Sequence, residues 1–117
     1  MKIVYNSILP PSGYKAINIY GILFARNGAN IDQETLNHEG THTEQMDDFT
    51  AGQSWLRPIG GTIFYLWYGI EFLIRLIKYQ SWHTAYRAIS FEQEAYANED
   101  NDDYNDTRSR FSWLDYL

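Results

Sequence analysis

Two histidines and a glutamate occur together in the stretch His38-Glu39-Gly40-Thr41-His42, which has the pattern H-E-x-x-H. In a helix, residues four positions apart lie on the same face, so both imidazoles can bind one metal ion from the same side. Glu39 lies on the flank of that face, where its carboxylate can reach a water without ligating the metal. The stretch therefore predicts a zinc site with a general base beside it.

A catalytic zinc site needs a third protein ligand, and the sequence offers several candidates. Asp48 lies six residues after the second histidine, a spacing that requires the helix to break at a glycine three residues after that histidine. The chain has Gln45 at this position, which argues against Asp48. The other candidates are His83, which follows a tryptophan, and a glutamate from a later helix, either Glu92 or Glu94.

The choice between the two glutamates depends on helix geometry. Glu92 and Glu94 lie about 200° apart around a helix, so only one of them is expected to point inward. Ala88 and Ala95 share a face with Glu92, and small side chains there would let this helix approach the motif helix closely. This favours Glu92 but leaves Glu94 open, because Phe91 lies near the edge of the Glu94 side.

The order of these motifs resembles that of a known family. The H-E-x-x-H stretch, a long apolar helix and then Glu92-Gln93-Glu94-Ala95-Tyr96 look like a gluzincin, and the small size resembles the minimal form, the minigluzincins. In that clan the third ligand is a glutamate that opens a Glu-x-x-Ala-Asp or Glu-x-Glu-Ala-Asn pattern. Glu92 holds the matching position here, and the resemblance covers roughly residues 15–98.

The resemblance implies a peptidase that uses one Zn²⁺ ion. The implied metal ligands are His38, His42 and Glu92. Glu39 would take the proton of the attacking water and pass it to the leaving amine. The chain departs from the family at Tyr96, where Asp or Asn usually orients a ligating histidine. The groups that could replace it are the Tyr96 hydroxyl, Asn37, Asn98 and the backbone.

Three further expectations concern the cleft of such an enzyme. A donor must stabilise the oxyanion of the tetrahedral intermediate. The candidate donors are His83, Tyr86, Tyr96, Tyr104 and Arg108. The strand that ends near Arg26 is expected to bind an extended peptide by edge pairing, as gluzincin strands do. The apolar tail, residues 111–117, is expected to dock, and a tail that lies across the cleft would make the enzyme latent.

The composition predicts one small domain, residues 1–117. A chain of 117 residues with an apolar fraction of 44% suits one hydrophobic core. The net charge of −6 argues against a nucleic-acid partner, so the expected partner is a peptide or protein substrate. The absence of cysteine restricts zinc ligands to nitrogen and oxygen atoms. Together with an N-terminus unlike a signal peptide, it predicts a cytoplasmic location.

The pattern of apolar residues predicts an α+β fold, with small antiparallel strands at the N-terminus and three main helices after them. The strands are expected at residues 2–8 and 15–26, separated by the turn signal at residues 10–13. The motif helix is expected to begin near Ile31, with Asn30 as its N-cap and Gln33 completing a capping box.

Two later helices are expected to complete the domain. Residues 62–80 are apolar on nearly all sides, and their length approaches that of a bilayer span. Glu71 and Arg75 lie four residues apart and can pair, so we predict a buried core helix rather than a membrane span. The alternative that the sequence leaves open is a partly exposed helix used for dimerisation or bilayer contact. A third helix over residues 81–97 carries Glu92. The acidic run at residues 99–106 predicts a solvated loop, because it lacks the turn glycine and closing glutamate of a calcium loop.

The sequence leaves two alternatives to a zinc peptidase. The first is a non-catalytic metal-binding or partner-binding domain that keeps the site for stability. The second is a membrane-associated protein that uses the helix at residues 62–80 to contact lipid.

Overall fold

The computed structural model describes residues 1–11 and 13–117, so Ser12 in the predicted turn lies outside the described residues. The strands are β1 (Ile3–Asn6), β2 (Ala16–Ile19) and β3 (Ile22–Arg26). The helices are α1 (Gln33–Asp48), α2 (Arg57–Tyr79), α3 (Trp82–Ala88), α4 (Ser90–Asn98) and α5 (Tyr104–Thr107), with 3-10 turns at Ser54–Leu56 and Ser112–Tyr116. The predicted α+β fold, a small N-terminal sheet followed by helices, is confirmed.

The sheet formed by the described residues has the strand order β1-β3-β2. β2 and β3 form an antiparallel hairpin, whereas β1 pairs with β3 in parallel. The single strand predicted at residues 15–26 is therefore two strands, because the chain reverses at Tyr20 and Gly21, which both have positive φ angles. Antiparallel pairing holds for the hairpin but is wrong for β1, which lies against the returning strand and runs in the same direction.

The motif helix α1 begins two residues later than predicted. Its N-cap is Asp32 and not Asn30, because the Asp32 side chain accepts a hydrogen bond from the Thr35 backbone N–H at 2.9 Å. Hydrogen bonds from the Thr35 side chain and from the Thr35 backbone lower the pKa of Asp32 to about 2, so the cap is ionised at neutral pH. Gln33 does not complete a capping box, since its amide donates to the Asn37 side chain instead.

The long helix α2 packs on the protein along one face only. Phe64 and Glu71 are buried on that face, and the predicted Glu71–Arg75 ion pair is confirmed at 3.2 Å. Large aliphatic side chains on the other face are exposed, so the prediction of a helix buried on all sides is wrong. Among the described residues, Ser54–Tyr79 is long and apolar enough to cross a membrane by length and composition alone.

The helix predicted at residues 81–97 is two helices, α3 and α4. The break lies at Ile89, whose ψ of 132° is extended rather than helical. Ala88 therefore does not share a helix face with Glu92, and that part of the sequence argument is wrong. Glu71 of α2 caps α4 at the break, because its carboxylate accepts from the Ser90 N–H and the Ser90 hydroxyl, both at 2.6 Å. α2 thus fixes the start of the helix that carries Glu92.

An aromatic core lies where α1, α2, α4 and the tail meet. Its buried members are Met46, Phe64, Ile89, Phe91 and Trp113. The Trp113 ring lies edge-on to Phe91 at a centroid distance of 4.7 Å. Edge-to-face contacts of this kind add stability beyond the area that they bury. The predicted docking of the tail is confirmed by the burial of Trp113.

Gly60 lets α2 cross the end of α1 at close range. A Cβ at this position would overlap the Met46 carbonyl oxygen, and a backbone atom cannot move aside cheaply. We expect Gly60→Ala to lower the free energy of unfolding by about 1–3 kcal/mol through overpacking.

The matched control is Gly69→Ala in the same helix. Among the described residues, nothing lies within 4 Å of a Cβ added at Gly69. Its gain in helix propensity should raise the free energy of unfolding by up to about 1 kcal/mol. Urea denaturation measures the free energy of unfolding of both variants. Equal stability of the two would contradict the close approach of α2 to the end of α1 at Gly60.

Candidate metal centre

Helices α1 and α4 bring three predicted site residues into one buried cluster. His38 Nε2 lies 3.0 Å and His42 Nε2 lies 3.2 Å from the same atom, Glu92 Oε1. Each residue offers one ligand atom, and these atoms all lie within 4.8 Å of one another. The cluster could therefore hold a metal ion. The structure brings these side chains together, and metal binding by them stays a prediction.

Each imidazole is oriented through its second ring nitrogen. His38 Nδ1 lies 2.7 Å from Glu99 Oε2, and His42 Nδ1 lies 2.8 Å from Gln45 Oε1. Carboxylate and amide oxygens are acceptors, so both Nδ1 atoms carry the proton. Each Nε2 is then directed at Glu92 Oε1, and in the neutral imidazole it is the nitrogen that can bind a metal ion.

The amide of Gln45 is itself held in a fixed orientation. Its Nε2 donates to the Phe91 carbonyl at 3.0 Å and to Glu94 Oε1 at 2.9 Å, which leaves Oε1 for His42. Gln45 thus occupies the position where another class of zinc enzymes needs glycine, and there it orients a histidine. Its place one helical turn after His42 was the signal in the sequence that could have revealed this role.

The residues expected to orient the histidines make other contacts. Tyr96 packs its ring edge-on to His38 at 4.4 Å, and its hydroxyl lies 3.2 Å from that of Tyr86. The Asn37 amide donates to the Glu99 carbonyl, and the Asn98 amide donates to the Glu94 carbonyl. These contacts position the segments around the cluster, whereas Glu99 and Gln45 bind the imidazoles directly.

The acidic run at residues 99–106 was predicted to be a solvated loop, which is wrong in part. Besides the contact of Glu99 with His38, Asp102 accepts a hydrogen bond from the Asn37 amide at 2.8 Å. Asn105 donates to the Asn37 carbonyl and accepts from the Thr41 hydroxyl. The run therefore packs on the side of the motif helix that carries Asn37, His38 and Thr41, and these three residues are buried.

Three potential ligand atoms, His38 Nε2, His42 Nε2 and Glu92 Oε1, face one another at the centre of the cluster. Tyr68 donates its hydroxyl to Glu92 Oε2 at 2.7 Å, so the other carboxylate oxygen, Oε1, is left for the histidines. Burial raises the pKa of Tyr68, which keeps that hydroxyl protonated. Desolvated lone pairs repel one another unless a proton or a metal cation lies among them. Ligand atoms on tetrahedral zinc are about 3.3 Å apart for bonds of ~2.0–2.1 Å. The two distances from the histidine Nε2 atoms to Glu92 Oε1, 3.0 Å and 3.2 Å, are close to this value.

The electrostatics of the cluster favour positive charge at this point. Burial alone would lower the pKa of His42, but the neighbouring Glu92 carboxylate outweighs burial and raises it to about 9. The same histidines hold the pKa of Glu92 well below its ordinary value, although burial opposes them. A proton on His42 and a divalent cation would therefore compete for the same place, as in metal sites generally.

Glu39 lies on the wall of a cleft that reaches the cluster. The cleft has a volume of about 1010 Å³, and its lining includes Glu39, His42 and Glu92. Burial raises the pKa of the Glu39 carboxyl. Asn18 of β2 donates to the Glu39 carbonyl oxygen at 2.7 Å, which fixes this strand beside the motif helix. A carboxylate so placed can exchange a proton with a water molecule in the cleft.

The sheet edge at the cleft is β2 and not the strand end near Arg26. β3, which ends at Arg26, is the central strand, so its backbone groups are already paired on both sides. Ala16, Ile17 and Asn18 of β2 line the cleft instead. The expectation of peptide pairing therefore moves from residues near Arg26 to the edge formed by β2.

The candidate oxyanion donors fall into two groups. His83, Tyr86 and Tyr96 line the same cleft as the cluster. Tyr104 and Arg108 instead bond to Glu94, at 2.6 Å and 2.9 Å, on the other side of α4. The latter two side chains are used in packing, so the first group alone remains available for catalysis.

The other candidates for the third metal ligand lie elsewhere in the structure. Asp48 pairs with Arg108 at 3.0 Å, and Glu94 shares that guanidinium. His83 lines the cleft but does not belong to the His-His-Glu cluster formed by the described residues. Glu92 and Glu94 are both buried, so the expectation that only one would point inward is wrong. Glu94 is buried on a different side of α4 from Glu92, where the Arg108 guanidinium balances its charge.

The C-terminal tail does not cover the cleft. Trp113 lies in the aromatic core, and the Tyr116 carbonyl accepts from the Gln93 amide at 3.1 Å. In the described part of the chain, the lining of the cleft includes no residue from 111–117. The expectation of a latent enzyme blocked by its tail is wrong, because the tail instead places Trp113 in the core and packs Phe111 against it.

Comparisons of the chain with models of protein families, with curated proteins and with solved structures find no match. The fold and the cluster define an α+β protein with a possible metal-binding triad. The resemblance to gluzincins rests on the two sequence motifs.

Proposed function

We propose that the protein is a zinc-dependent peptidase in which His38, His42 and Glu92 hold the metal and Glu39 is the general base. One observation carries the proposal: three buried side chains direct one potential ligand atom each toward the same point, beside a cleft that Glu39 also lines. Imidazole and carboxylate ligands suit zinc, and three protein ligands leave one position open for chemistry. The same donor set also suits iron(II), so the test must compare the two metals.

The chain's own residues would divide the work in the following way. When bound, a zinc ion supplies Lewis acidity, which polarises a carbonyl group and acidifies water. Glu39 accepts the proton of the attacking water and donates it to the leaving amine, and its raised pKa suits both steps. Tyr68 holds one Glu92 oxygen, so that the other stays directed at the histidines. His83 and Tyr86, which line the cleft, would stabilise the oxyanion.

The shape and lining of the cleft suggest an apolar peptide substrate. Its walls include Phe64, Tyr65, Phe72 and Trp82, which suit large apolar side chains. The edge of β2 offers backbone groups to an extended chain.

The proposal is tested by the metal dependence of hydrolysis. The purified protein, first stripped by a chelator, is incubated with a mixture of peptides before and after addition of Zn²⁺ or Fe²⁺, and products are identified by mass spectrometry. We expect cleavage only after zinc is restored. A protein that binds zinc but cleaves no peptide would instead favour a non-catalytic domain in which the metal contributes to folding.

A further inference from the structure

Helix α2 has two apolar faces, and the residues that the structure describes cover only one of them. The packed face carries buried or half-buried side chains at Phe64, Tyr65, Tyr68, Glu71, Phe72 and Arg75. The opposite face carries Ile59, Ile63, Leu66, Ile70, Leu73 and Ile77, which we call the α2 stripe. These six side chains are between 38% and 75% exposed. A contiguous apolar surface of this kind marks an interaction site on a soluble protein.

The α2 stripe follows a seven-residue repeat. Isoleucine recurs at 63, 70 and 77, and the set Ile59, Leu66 and Leu73 recurs with the same period. In coiled-coil notation the first set occupies position a and the second occupies position d. Isoleucine occupies all three a positions and leucine occupies two of the three d positions, with Ile59 at the third. Isoleucine at a with leucine at d is the combination that favours parallel two-stranded coiled coils. The repeat therefore indicates a helical partner with the same spacing.

The size of the α2 stripe fits a protein partner. Six large aliphatic side chains at these exposures, with Trp67 and Ile74 on the flank, offer on the order of 100 Å² each. Their sum is roughly the 800 Å² per partner that a standard stable interface buries. A second copy of the chain supplies the same surface, and a two-fold axis makes such a surface self-complementary.

The charges near the α2 stripe argue against a lipid surface. Helices that lie on membranes are usually rich in Lys and Arg on their polar face. Arg57 pairs with Asp47, and Arg75 pairs with Glu71, so both guanidinium groups are used inside the protein. The whole chain carries a net charge of −6, which anionic lipids would repel.

We propose that the α2 stripe pairs with that of a second copy, in parallel and in register, to form a two-fold dimer. The packed face of α2 stays turned toward its own cleft, because Phe64, Tyr65 and Tyr68 line that cleft. The dimer therefore leaves both candidate sites open, and the inference does not depend on the proposed function.

The first test is the mass of the full chain in solution, measured by light scattering after size exclusion at about 50 μM. We expect wild type to have twice the 13.8 kDa mass of the chain. Ile70→Lys should weaken dimerisation by at least about 100-fold and elute as a monomer, since it buries a charge at the centre of the interface. The matched control is Ile8→Lys, which changes an isoleucine that is 77% exposed in a loop and should stay dimeric.

The second test fixes the orientation of the two helices. The chain has no cysteine, so a single Ile77→Cys can be cross-linked without background. In the parallel arrangement the two introduced thiols face each other within disulfide distance, and mild oxidation should give a covalent dimer. Ile8→Cys should not cross-link.

Three results would overturn the proposal. The first is a monomeric wild type at this concentration, including a monomer that floats with phosphatidylcholine vesicles, which would point to lipid. The second is an Ile70→Lys variant as dimeric as wild type. The third is an Ile77→Cys chain that links only to an Ile59→Cys chain, which would show an antiparallel pair.

Discussion

Replacing Glu39 by glutamine is expected to reduce peptide hydrolysis by about 10²–10⁴-fold, the range that a general base contributes. The amide has nearly the same shape as the carboxylate but cannot accept a proton from water. Glu39 is not one of the three clustered ligands, so the metal content should equal that of wild type. The measurement pairs turnover of a cleaved peptide with zinc determined on the same sample.

The control for this prediction is Glu44→Gln. Glu44 lies on the same helix and is half-buried, but it is not among the described residues that line the cleft. Its substitution should change turnover by less than about twofold, because surface polar changes away from a site have small effects. Two results would contradict the assignment: full activity of Glu39→Gln, or loss of zinc from that variant, which would make Glu39 a ligand.

The second large effect is expected from Arg108, whose side chain is only 3% exposed. Its guanidinium pairs with Asp48 and Glu94, and burial raises the pKa of Asp48 despite this contact. Arg108→Met keeps most of the volume but leaves two carboxylates without their cation. We expect the free energy of unfolding to fall by about 3–5 kcal/mol, the usual cost of breaking a buried ion pair.

Arg110→Met is the matched control for this experiment. Arg110 is exposed, donates to the Asp48 carbonyl and lies over the Phe111 ring at 4.6 Å. Its loss should cost about 1 kcal/mol or less, because exposed charges contribute little. Denaturant unfolding of both variants gives the comparison. If Arg108→Met were as stable as Arg110→Met, the buried network would not hold the tail and α4 together.

The parts of the site that follow from local spacing could be predicted from the sequence. The four-residue step places His38 and His42 on one helix face, and this needs no knowledge of the rest of the fold. Glu92 was favoured by the family pattern, and the structure brings it to the two histidines. Ala88 was expected to share a helix face with Glu92. This prediction is wrong because Ile89 separates α3 from α4.

Of the contacts that orient the histidines, only the one between Gln45 and His42 has a local signal in the sequence, because these residues lie one helical turn apart. Glu99 reaches His38 from a different segment of the chain, and the Gln45 amide is fixed partly by Glu94. Such pairs depend on how segments pack, which a residue pattern does not specify. The parallel pairing of β1 was missed for the same reason, since it joins segments separated by a complete hairpin.

The exposure of one face of α2 could not be predicted from the sequence. An apolar helix predicts burial, but the pattern does not say whether its cover comes from the same chain or from another. The seven-residue spacing of Ile63, Ile70 and Ile77 is visible in the sequence. It indicates a partner helix only together with the exposure of these residues in the folded chain.

The central claim is that His38, His42 and Glu92 together bind one divalent metal ion. The most direct measurement is calorimetric titration of chelator-stripped protein with Zn²⁺, with Fe²⁺ titrated under anaerobic conditions for comparison. The variants are His42→Ala and Glu92→Ala, with His83→Ala as the control histidine outside the cluster.

We expect one zinc ion per chain in wild type and in His83→Ala. Both ligand variants, if folded by circular dichroism, should lose more than the roughly 10–100-fold in affinity that removal of an outer partner costs. Zinc binding by His42→Ala and Glu92→Ala as tight as by wild type, or no zinc binding by wild type, would contradict the account.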